Sequence, residues 1–107
     1  MKIYTNDERK CNIAQAVLKN VIDPEVGLNI VDLGLVYEIN FIEDEKVVAC
    51  LMTLTTEFCP MGESIVEDTT QTLQAAFADY KIEVELTFDP AWSFELVSEE
   101  GRLFLGR

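Results

Sequence analysis

A chain of 107 residues has room for one compact domain, and with 49% of its residues apolar it can fill one core. Eight basic against twenty acidic residues give a formal net charge of −12, which repels phosphate backbones and anionic lipid and so argues against nucleic acid and membrane surfaces as partners. The chain contains no histidine, which removes Ser-His-Asp triads, Cys-His pairs and imidazole metal sites from consideration.

Taken in chain order, the first predicted element is a helix from about Asp7 to Val21. Its apolar stripe is Cys11, Ala14, Val17, Leu18 and Val21 at spacings of three and four. Thr5 followed by Glu8 resembles a capping box, and Asp23-Pro24 ends the helix because proline disfavours helical geometry in the residue before it. From Asp23 to Gly34 the pattern predicts a structured loop punctuated by Pro24, Gly27 and Gly34.

Leu35 to Phe41 and Lys46 to Leu54 are rich in strand formers and flank the charged turn Glu43-Asp44-Glu45, which predicts an antiparallel hairpin. The first of these strands alternates, with Tyr37, Ile39 and Phe41 expected on one face; the second is apolar throughout and expected to be central. A second long helix is predicted from Pro60 to about Asp79, with Ile65, Thr69, Leu73, Ala76, Phe77 and Tyr80 on one face. A third strand follows at Ile82 to Phe88, alternating apolar and acidic until Asp89-Pro90. Trp92 follows as an expected lid over the core, and Ser98 caps a short helix that opens with Glu99 and Glu100. The order helix, strand, strand, helix, strand, helix predicts an α+β two-layer sandwich. Its sheet is expected to be small, three-stranded and mostly antiparallel, covered by helices, in one domain spanning 1–107.

The chemistry-bearing residues are few. Cys11 and Cys50 fit the apolar patterns of the first helix and the second strand and read as core residues. No cysteine pair has CxxC spacing, no stretch of about 18 apolar residues exists and no apolar leader begins the chain, so a reducing, cytoplasmic setting is expected. Cys59 differs from the other two. It precedes Pro60, and if Pro60 opens the second helix, Cys59 is its N-cap, where unpaired N–H groups and the helix dipole favour a thiolate. Glu57 and Glu63 act against that charge. Asp23 and Glu25 flank Pro24 at a helix end where the dipole disfavours carboxylates; they read either as a rigid solvated turn or as part of a site. Thr53, Thr55 and Thr56 lead into Cys59 and either orient a thiolate or ligand or satisfy the loop backbone.

Three segments together resemble the PaaD-like and SufT-like metal–sulfur cluster biosynthesis family: Asp23-Pro24-Glu25-Val26-Gly27 through Asp32-Leu33-Gly34 to Tyr37, Met52-Thr53-Leu54-Thr55-Thr56 to Cys59-Pro60-Met61-Gly62, and Asp89-Pro90-Ala91-Trp92. Two departures stand out: Glu57-Phe58 where many members have Pro-Gly, and Ala91 where proline is frequent. The resemblance implies the small α+β fold of cluster-assembly domains and a role in maturing iron–sulfur proteins. It places the functional cysteine, and with it any metal contact, on Cys59. The supporting pocket falls on Asp23, Glu25, Asp32, Thr53 and Thr56.

One exposed cysteine supplies one of the four thiolates usual for an iron–sulfur cluster. The expectation is therefore a non-enzymatic carrier or adaptor that handles a cluster transiently, shared with a client protein, an assembly protein or a second subunit in a homodimer. The alternative is an interaction module that helps assemble a multicomponent oxygenase of the phenylacetyl-CoA type without binding a cluster. Cysteine-nucleophile catalysis lacks a histidine base.

Overall fold

The computed structural model describes residues 3–58 and 60–106. Its elements are strand β1 (Tyr4–Thr5), helices α1 (Glu8–Leu18) and α2 (Ile30–Leu33), strands β2 (Val36–Ile42) and β3 (Val47–Met52), helix α3 (Gly62–Ala76), strand β4 (Lys81–Leu86) and helix α4 (Glu99–Phe104), with a 3₁₀ turn at Phe94–Leu96. The strands form one sheet in the order β1-β2-β3-β4.

This sheet corrects the expected three-stranded, mostly antiparallel one. It has four strands and is mixed: β1 pairs β2 in parallel, β2 pairs β3 antiparallel, and β3 pairs β4 in parallel. The physical reason lies in the connections. A tight charged turn at 43–46 returns β2 onto β3 antiparallel, whereas α3 carries the chain from the end of β3 back to the start of the sheet, so β4 must run the same way as β3. The fourth strand, β1, is only two residues long, too short to show a pattern in the sequence.

Helices α1 and α3 cover one face of the sheet. Cys11, Ala14 and Leu18 from α1, Ile65 and Leu73 from α3, and Ile39, Phe41, Val48, Cys50 and Met52 from the strands form one buried cluster. Both cysteines are thus core residues, as their patterns predict, and burial together with the neighbouring Cys11 pushes the Cys50 thiol up to about 12. The cap of α1 is Asp7, whose carboxylate accepts from Lys10 N at 3.0 Å, while Thr5 Oγ1 accepts from Asp7 N. Phe41, Phe77 and Tyr80 meet edge to face where the hairpin packs under α3. Lys10 lies beside them, donating to Glu43 and to Tyr80 Oη; those bonds raise the Lys10 pKa and lower that of Glu43.

Three local differences from the expected elements matter for the site. First, the Asp23 to Gly34 loop contains α2, a single turn capped by Asn29 at its start and by Gly34, with φ +84°, at its end. Second, a register shift between Val36 and Glu38 turns β2, so that Val36 joins the core with Ile39 and Phe41 and Tyr37 lies outside that cluster although it is buried. Third, α3 begins at Gly62 with Met61 as its cap, two residues later than the Pro60 start expected, and ends at Ala76. The expected role of Cys59 as a helix cap therefore gives way to Met61; Cys59 itself lies outside the described residues.

Candidate functional site

The three sequence segments singled out above meet at one end of the sheet, held by a set of hydrogen bonds that join distant parts of the chain. Asp32, in the first turn of α2, is the hub. Its Oδ2 accepts from Asn29 Nδ2 at 2.7 Å and its Oδ1 accepts from Ser98 Oγ at 2.8 Å, while its backbone oxygen accepts from Ser98 N at 2.7 Å. Ser98 in turn caps α4, accepting from Gly101 N at 2.9 Å. Partial burial works against the charge on Asp32, but the Asn29 and Ser98 hydrogen bonds, with Lys19 at longer range, outweigh it and hold the carboxyl below its ordinary value.

The next contacts bring in the C-terminal segment. Trp92 Nε1 donates to Leu33 O at 2.7 Å, and the ring packs against the core, which is the lid expected of it. Tyr37 Oη donates to Pro90 O at 2.8 Å. Burial pushes the Tyr37 phenol above its ordinary value, opposed by the neighbouring Thr53 hydroxyl. Trp92→Phe keeps most of the packed area but leaves the Leu33 carbonyl without its donor. The expected loss is about 1–2 kcal/mol in urea unfolding at neutral pH.

Thr53 and Thr56 occupy different settings. Thr53 is fully buried, its backbone N donating to Leu35 O at 2.8 Å and its hydroxyl to Leu54 O at 3.4 Å. It anchors the segment running toward Cys59 onto the start of β2. Thr56 is exposed, and its hydroxyl accepts from Phe58 N at 3.3 Å, shaping the turn two residues on. Thr56 also shares a pocket of ≈ 230 Å³ with Trp92, Phe88 and Ala91. The second and third sequence segments therefore form the two sides of one depression.

Asp23 is buried, at 1% exposure, and is no solvated turn residue. Its Oδ1 accepts from Glu25 N at 2.9 Å and Val26 N at 3.3 Å, and its backbone oxygen accepts from Gly27 N at 2.7 Å. These bonds close the 23–27 turn on itself. Glu25 is exposed on the outside of that turn. The turn is fixed to α2 through Ile30 N donating to Val21 O and Asp23 N donating to Leu28 O, both at 3.0 Å.

Sequence reasoning passed over Asn29, Tyr37 and Ser98 as site-forming residues. Asn29 carried a readable signal, a capping residue three positions before Asp32. The Tyr37 and Ser98 bonds span 53 and 66 residues and have no local signature. Among the described residues, no group of three Cys, Asp or Glu side chains is arranged to hold a metal ion. No helix among them is long and apolar enough to cross a membrane.

Comparison with known proteins places these features in context. The sequence model of the family described as iron–sulfur cluster assembly protein matches residues 14–86. A protein of Staphylococcus aureus named Fe-S protein maturation auxiliary factor SufT is 40% identical over 86 residues, covering 80% of this chain and 97% of its own. A protein of Porphyromonas gingivalis named Fe-S protein maturation auxiliary factor is 36% identical over 90 residues, 84% of this chain and 85% of its own. Among solved structures, a Bacillus anthracis chain described as a domain of unknown function superposes with a TM-score of 0.86 at 38% identity, covering 92% of this chain and 93% of that one. The match reaches from within α1 through β4, and relatives of comparable length are 36% and 40% identical to the chain: this chain belongs to the iron–sulfur cluster assembly protein family.

Proposed function

We propose that this chain is a non-enzymatic maturation factor for iron–sulfur proteins, working in the cytoplasm as a carrier or adaptor that passes a cluster to a client through Cys59. The observation that carries the reading is family membership, with relatives named as Fe-S maturation factors. Further support comes from the disposition of the thiols. Cys11 and Cys50 are buried in the core, which leaves Cys59 as the thiol for cargo.

One thiolate is one ligand of four. The cluster is therefore cargo, with its remaining ligands supplied by the donor, the client or a second copy of the chain. Transfer in this reading is ligand exchange. The Cys59 thiolate forms one iron–sulfur bond as a donor thiolate leaves, and a client thiolate later displaces Cys59. The thiol proton passes to the departing thiolate or to solvent, and the cluster's oxidation state does not change. Thr53 and Thr56 set the path of the chain that leads toward Cys59 in sequence, and Asp23 and Asp32 hold the turns of the 23–34 segment.

Anaerobic reconstitution with iron and sulfide, read by absorption and Mössbauer spectroscopy and followed by transfer to an apo client, tests the proposal. With Cys59→Ser, bound cluster and client activation are expected to fall about tenfold or more, the scale on which losing a metal-site group acts. Retention and transfer equal to those of the parent protein would remove Cys59 from the role.

A further inference from the structure

Between α3 and the C-terminal end of β4 lies an open groove of ≈ 430 Å³. Its floor is apolar, made by Leu54, Val66, Leu86 and Phe88. Its rim is acidic, made by Glu57, Glu63 and Glu67, all exposed and none of them in an ion pair among the described residues. Leu86 is 40% exposed on β4, the outermost strand on that side of the sheet, and Phe58, 88% exposed, lines the neighbouring depression that shares Leu54, Glu57 and Phe88 with this groove. Glu57 and Gly62, two residues before and three after Cys59 in sequence, both line the groove.

This combination selects its occupant by charge. Nucleic acid and anionic bilayers meet three uncompensated carboxylates and a chain of net charge −12. A second copy of the chain, with twenty acidic residues against eight basic ones, is a poor source of the cations this rim calls for. An apolar floor wants a large apolar side chain, and the glutamates want cations on either side of it. The geometry points to this groove as the docking site for a partner-protein segment that inserts one large apolar side chain over Leu54, Val66, Leu86 and Phe88 and sets flanking Lys or Arg residues against Glu57, Glu63 and Glu67. The inference rests on the maturation reading and deepens it, because a client or donor held here is held in part by Glu57 and Gly62, which lie on either side of Cys59 in sequence.

The probe is a capped seven-residue peptide with a central phenylalanine between paired lysines, titrated into the isotopically labelled full chain and followed by amide chemical shifts. Shifts are expected at Glu57, Glu63, Val66, Glu67 and Leu86. Replacing the phenylalanine by alanine, or combining Glu57→Gln, Glu63→Gln and Glu67→Gln in the protein, is expected to weaken binding about tenfold. Raising salt from about 50 to about 500 mM weakens it further. Val66→Asp is a second variant on an incompletely buried position, expected to abolish binding while the remaining amide spectrum keeps its native dispersion. Shifts centred on the open sheet face at Glu38, Glu83 and Glu85, equal binding of the alanine peptide, or groove shifts arising from self-association without peptide would each overturn the proposal. The two readings also fail separately: if the peptide does not bind but transfer still requires Cys59, the groove is refuted alone, and if the peptide binds but transfer ignores Cys59, the carrier role is refuted.

Discussion

Gly34→Ala is expected to destabilise the protein by about 2–5 kcal/mol, as the sum of two independent costs. Gly34 ends α2 at φ +84°, a conformation that costs an L-residue about 1–2 kcal/mol. A Cβ there would also run into the backbone carbonyl of Leu96, which cannot rotate aside as a side-chain tip can. Overpacking of that kind adds about 1–3 kcal/mol. Gly27 is the internal control. It has φ +81° but nothing within 4 Å of the position a Cβ would take, so Gly27→Ala carries only the conformational cost. Urea unfolding of the two variants side by side separates the terms. Equal losses would mean that the Leu96 segment yields freely and does not press on α2.

Asp32→Ala removes the acceptor shared by Asn29 and Ser98 and so loosens α2 and α4 together. Hydrogen bonds to a charged group are worth about 1.5–3 kcal/mol each, and partial exposure puts this pair at the low end, for a combined loss of about 2–3 kcal/mol at pH 7. The pH dependence follows from the lowered carboxyl pKa. A group whose folded pKa lies below its unfolded value stabilises the fold above the unfolded value, near 3.9 for aspartate, and that contribution is lost as pH falls through the folded one. The gap between parent and variant should therefore narrow from pH 7 to pH 3 in urea titrations. A gap that stays constant would assign the loss to packing instead of to charge-assisted bonds.

The sequence displayed those parts of the fold that obey a local rule. Cys11, Ala14 and Leu18 repeat at helical spacing and are buried together, the charged turn at 43–46 returns β2 onto β3, and Ser98 caps α4 as its position before two glutamates suggests. What was not legible depends on pairing across distance or on elements too short to carry a period. β1 has two residues, α2 has four, and the displacement of Tyr37 from the core is the work of a bulge. The parallel setting of β4 was available in principle, since a 15-residue helix between two strands of one sheet is the mark of a crossover.

The site divides along the same line. Its residues were visible as three motifs, but the bonds that gather them, Asp32 to Ser98, Leu33 to Trp92 and Tyr37 to Pro90, link residues 32–37 to residues 90–98. Asp23 shows the limit of reading a carboxylate from its neighbours. Beside a proline it reads equally as a wet turn or as part of a site, whereas the structure buries it as the acceptor that closes 23–27.

The burial of Cys11 and Cys50 has a practical consequence for anyone wishing to watch this protein at work. With both thiols inside the core, and that of Cys50 shifted to about 12, neither competes for a fluorophore or spin label while the fold is intact. A fast-labelling thiol in the native protein is thus assigned to position 59 without any cysteine being engineered away, and slow labelling of the other two times the opening of the core.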